Sequence, residues 1–427
     1  MSNPKKAAPS TQPPEPPAFI VPRAWLITLT VLIVIPWLIA GTLYLWRGLD
    51  SAPAVLPADD PPSREAASGP WGVLEVSPIV ISPPIELIDD DWARDADAGK
   101  YWFLPDTGLP VAEVFLSSTG LSREQVSRLL AASRPEPRIN GIVIEPDPDL
   151  ARSLAPDVRA RLYIQLAKSP LNLDQVQAFR YHGESADAWL GPSLIAPATR
   201  RLVNPLTYRH GEHVYFADQA LVRPQIADAG ERRRLAKALL RQLTVRVRLS
   251  VPSLSEVPGL ATYWGRGGRR TDIRPLLESI VGRGADRSLD IVHLLPAFAR
   301  ERLYRYPRLT AQDLDRPVLA NCLWSALNFF NTIPDDRYLD VNVAVERLKQ
   351  DYTLIENHYE LGDIVALVDE RGNIFHAVVY LADDLVFTKN GTSPVAPWVI
   401  LPLDIVVDYY RPRSEKPQLI YHRRKDF

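Results

Sequence analysis

The sequence predicts an α+β chain with a single N-terminal transmembrane helix, an α+β middle region and a C-terminal α+β domain. Three observations carry this. The run Ala24 to Trp46 holds no charged residue. Between residues 95 and 310, helix-period stretches alternate with short period-two stretches. After residue 316 two helical stretches give way to strands separated by turns. At 427 residues the chain has room for about two to three domains. Its 46% hydrophobic and 23% charged residues suit a packed core. The formal net charge is −2, so nothing in the charge balance calls for nucleic acid as a partner.

Residues 1–23 are rich in proline and poor in large apolar side chains, and they read as an extended cytoplasmic tail. Residues 24–46 give roughly 34 Å of helix, enough to cross a hydrocarbon core of about 30 Å. Trp25, Trp37, Tyr44 and Trp46 supply interface rings, and Pro36 would kink the middle. Lys5, Lys6 and Arg23 precede the run, while Asp50, Asp59 and Asp60 follow it. That bias keeps the N-terminus inside and sends the rest across the membrane. The expected location is therefore a bacterial inner membrane, with the C-terminal part periplasmic. Residues 47–70 form a proline- and alanine-rich linker.

The middle region, residues 71–310, opens with extended chain broken by prolines, Trp71 to Ile88. Ser122 and Gln125 make a capping box ahead of a helix. Gly141 to Glu145 reads as a strand and Pro156 to Lys168 as helical. Glu231 to Leu243 is an amphipathic helix running into the alternating strand Thr244 to Ser250. The stretch at 265–270, GRGGRR before Thr271, could cradle an anion, but it lacks the Gly-Lys-Ser/Thr of a phosphate loop and reads better as a turn. His182, His210, His213 and His293 show no ligand spacing, and no role follows from them.

Residues 311–427 carry the chemistry. Cys322 is the only cysteine, which excludes an intramolecular disulfide and leaves no cysteine-based zinc site. No cofactor or metal is expected. Cys322 falls in the first turn of an apolar helix, where the dipole and free N–H groups favour a thiolate. A helix over Val341 to Gln350 follows, then the turn Leu361-Gly362-Asp363 leading into Ile364 to Val368. The next strand, Ile374 to Ala382, holds His376 near its start, and Leu385 to Asn390 returns beside it.

A cysteine at a helix head, then Gly362-Asp363-Ile364-Val365, then His376-Ala377-Val378-Val379-Tyr380 resembles the NlpC/P60 peptidases, which are papain-like cysteine hydrolases. The resemblance covers residues 316–410, with the histidine 54 positions after the cysteine. Asn321-Cys322-Leu323-Trp324 stands where the family usually has Asp-Cys-Ser-Gly. The resemblance implies that Cys322 is the nucleophile and His376 its base. A third polar residue would orient the imidazole. Strand register nominates Asn390, with Thr388 as the alternative on the same face. The implied reaction is amide hydrolysis in cell-wall peptide through a thioester. Two further expectations are a papain-like acyltransferase and an inactive hydrolase-like module that binds an envelope protein.

Overall fold

The computed structural model describes residues 63–88, 100–183, 185–191, 194–282, 287–307, 319–411 and 416–426. The run at 24–46 lies outside them, as do the tail and most of the linker. Among the described residues no helix is long and apolar enough to cross a membrane. The expected fold class is corrected on that point: what the described residues form is an α+β fold without a membrane-spanning helix.

The C-terminal part is built on a six-stranded antiparallel sheet, in the order Tyr352–Ile355, Gln418–Arg424, Ile364–Val368, Ile374–Ala382, Leu385–Lys389 and Trp398–Pro402. Its central strands are apolar on both faces because both are covered. Ile364, Ala377, Val379, Leu381, Leu385 and Phe387 pack in one core with Leu323, Trp324 and Leu327 of the short helix Cys322–Leu327 and with Ala344 and Leu348 of the helix Val341–Asp351. Val365, Leu367, Val378, Tyr380 and Val386 pack on the other face with Val406 of the helix Leu403–Tyr409. Odd and even residues of a strand thus meet different helices.

A second, four-stranded sheet joins residues far apart in sequence: Arg64–Glu65, Val73–Ile81, Gln242–Ser250 and Ser288–Asp290. Pro78 sits opposite Val245, and the short strand Arg64–Glu65 pairs only with Glu75 and Val76. The missing N–H of Pro78 therefore costs no ladder bond on the unpaired side. Leu74, Val76, Val247, Leu249, Leu260 and Trp264 belong to the same core as the cysteine helix. Thr244 Oγ1 donates to Ile400 O at 2.7 Å and accepts from Ile400 N at 3.2 Å, joining the two sheets. The division expected at residue 310 is therefore no boundary of the core.

Two three-stranded sheets complete the middle region. In the first, Gly141–Ile144 lies between Trp102–Leu104 and Ser133–Glu136. The helix Arg123–Ala131 beside it has both arms of the capping box at Ser122 and Gln125. In the second, His213–Phe216 lies between Phe179–His182 and Tyr208–His210. GRGGRR is structural. Arg270–Val281 is a helix that begins before Thr271, so Thr271 does not cap it. Arg269 donates to Leu294 O and Trp264 O, and Arg266 pairs with Asp363. Gly267 and Gly362 both have positive φ and close on the Phe330 ring, where a Cβ would lie 2.5 Å and 2.1 Å from ring carbons.

Candidate active site

Cys322 is the first residue of its helix, and the cap is made by the residue before it. Asn321 stays extended, and its Oδ1 accepts from Trp324 N at 2.9 Å. Ser325 Oγ donates to Asn321 O and accepts from Trp398 Nε1 at 2.9 Å, so the helix start is tied to the last strand of the sheet. Cys322 is half-buried against the core of that face. Burial pushes its thiol above the ordinary range, against the pull of the backbone N–H of Ala377 and the charge of Lys389. A thiol raised in this way is a weak nucleophile.

The group that faces Cys322 from the sheet is Lys389. It follows Leu385 and Phe387 in strand parity, and it is fully buried. Its Nζ donates to Gly391 O and Ser393 O, both at 2.9 Å, and lies 5.7 Å from the Trp398 ring centre. Burial pushes the amine down to about 7. A neutral amine has two N–H groups and one lone pair. The two carbonyls use the N–H groups, and the lone pair is left over.

His376 lies on the other face. Its Nε2 is 3.0 Å from Thr388 Oγ1, and its ring stacks on Tyr410 at 4.2 Å. Nδ1 is buried and has no hydrogen-bond partner. Burial pushes the imidazole down to about 3, so it is neutral at ordinary pH. The reason for its placement is a β-bulge. Leu367 pairs with His376 and Val368 with Ile374, leaving Phe375 as the extra residue. Ile374 packs with the cysteine core and Phe375 with the opposite one. His376 then shares the face of Phe375, Val378 and Tyr380, while Ala377 takes the cysteine side. Regular alternation from Ile374 would have put His376 toward Cys322.

The expected dyad is therefore not assembled: Cys322 and His376 stand on opposite faces of one sheet. Asn390 does not orient the histidine either. The pairs Val379↔Phe387 and Tyr380↔Val386 continue toward a His376–Asn390 pairing, as register counting expects, but the hydrogen bond falls to Thr388. Asn390 Oδ1 is buried and has no hydrogen-bond partner. Lys389 was not among the residues that the sequence nominated for the site. Its parity with Leu385 and Phe387 was the signal that places it by the thiol.

No family model matches this chain, and neither the curated proteins nor the solved structures offer a match.

Proposed function

We propose that the C-terminal part is an NlpC/P60-like module that binds its partner without cutting it. The observation that supports this is the placement of His376 across the sheet from Cys322, held by Thr388 and Tyr410. A thiolate–imidazolium pair needs contact between the two side chains and an imidazole that can take a proton. Here the imidazole is neutral down to about 3 and the thiol is raised by burial. The partner class that goes with the resemblance is a cell-wall peptide or an envelope protein.

A second reading has its own support. Lys389, pushed down to about 7 beside Cys322, is an amine able to accept a proton near neutrality. In that reading Cys322 attacks an amide carbonyl, its proton passes to Lys389, and Lys389 returns it to the leaving amine as a thioester forms. Water or a second amine then takes the acyl group. Release of amino groups from purified peptidoglycan by the full chain separates the readings. The binding module gives no release above that of Cys322→Ala. Turnover lost in Cys322→Ala and Lys389→Met but kept in His376→Ala supports the lysine chemistry. Turnover lost in His376→Ala contradicts both.

A further inference from the structure

A cleft of about 490 Å³ opens between the strands Phe179–His182 and His213–Phe216 on one side and the loop after Lys389 on the other. Cys322 does not line it; His182, His213, Asn390, Arg180 and Arg241 do. Two of its buried polar atoms, Asn390 Oδ1 and His182 Nδ1, have no hydrogen-bond partner. Asn390 is 7% exposed. Buried polar atoms are rarely left unpaired, so a pair of them on one cleft marks where a ligand would form hydrogen bonds, donating to Asn390 Oδ1.

The neighbouring groups give that ligand its chemistry. His213 is buried, and its Nδ1 lies 2.7 Å from Asp408 Oδ2. Asp408 also accepts from Glu212 N and pairs with Arg411, which keeps it a carboxylate. The proton of His213 is therefore on Nδ1, and Nε2 remains an acceptor. Arg180 and Arg241 bring two positive charges to the cleft, against Asp174 as its carboxylate. The Arg180 guanidinium lies over Tyr409, 3.4 Å from the ring centre, and donates to Tyr409 O at 2.5 Å. The charge is thus fixed in place before any ligand arrives. Acceptors without donors, fixed positive charge and an aromatic wall occur together.

We infer that this cleft binds a small carboxylate that also carries hydroxyl donors, a sugar acid or a hydroxy acid. The carboxylate answers the two arginines, and the hydroxyls donate to Asn390 Oδ1 and His213 Nε2. Tyr409 and Tyr181 line the same cleft. The loop residues Gly391 and Ser393, whose carbonyls Lys389 holds, form part of the same wall. This site is independent of whether Cys322 reacts.

Isothermal titration of the full chain tests it, with D-glucuronate as the probe. D-glucose lacks the carboxylate, acetate lacks the hydroxyls, and lactate is an open-chain hydroxy acid. Glucuronate should bind saturably and at least tenfold more tightly than glucose or acetate. Asn390→Ala should weaken it at least tenfold while leaving the circular dichroism spectrum unchanged. Because that variant also removes an unpartnered buried oxygen, its melting temperature should not fall. Lactate binding as tightly as glucuronate supports the class and assigns it to open-chain acids. Absence of glucuronate binding, equal binding of acetate, or no effect of Asn390→Ala would each overturn the proposal. None of these results depends on peptidoglycan turnover, so the two tests fail separately.

Discussion

His376 shows how one buried side chain can set a pH limit on the whole protein. Its ring is enclosed by Tyr410 and Thr388, and burial holds it neutral down to about 3. In the unfolded chain the same imidazole takes a proton near 6.5. Between these values the unfolded state binds the extra proton, so stability rises with pH and is lost as pH falls from about 6.5 toward 3. The penalty is about 1.4 kcal/mol for each pH unit crossed. Urea unfolding of the native chain and of His376→Gln at several pH values checks this. The wild-type slope should exceed the variant's in that window, and the two should run parallel above pH 7. Lys389 follows the same logic at higher pH. Its folded value of about 7 lies below the ordinary 10.5, so its contribution rises between those values. Both groups are buried polar side chains in a sheet whose neighbours are almost all apolar.

At the scale of elements, local pattern was a good guide and long-range placement was not. The strand Ile374–Ala382 and the helix Val341–Asp351 lie close to where alternation and helical period put them. Cys322 heads its helix because Asn321 caps it. The capping box at Ser122 and Gln125 is also plain in the sequence, since its four residues are local. The candidate site depends on a different kind of fact. Period two says that His376 and Ala377 face opposite ways, but not which of them faces the cysteine helix. One extra residue at Phe375 decides it, and an Ile-Phe-His stretch carries no mark of a bulge. The cleft was equally hidden. Its histidines come together because His182 pairs with His213 across two strands 31 residues apart, which ligand spacing along the chain cannot reveal.

For the whole described unit, the main lesson is that one core crosses the expected division at residue 310. Leu74, Val247, Leu249 and Trp264 pack in the same cluster as Trp324, Val379 and Ile400. Tyr263 Oη donates to Leu381 O at 2.7 Å, and Arg266 and Arg423 both pair with the buried Asp363. Cutting the chain at 311 would expose that apolar face and leave Asp363 with one of its two arginines. Each fully buried large side chain so exposed costs about 1.5–3 kcal/mol, which a handful of them turns into most of a domain's stability. A fragment of residues 311–427 should therefore show no cooperative thermal transition, whereas residues 63–427 should. A sharp transition in the shorter fragment would contradict the shared core.

The most direct measurement is the pH profile of Cys322 alkylation by iodoacetamide in the native full chain, compared with His376→Ala. Cys322 is the only thiol, so the signal has one source. Labelling should be slow and rise only above the ordinary thiol range, with superimposable profiles for the two proteins. Fast labelling below pH 6 that disappears in His376→Ala would contradict that expectation, because only an assembled thiolate–imidazolium pair behaves that way.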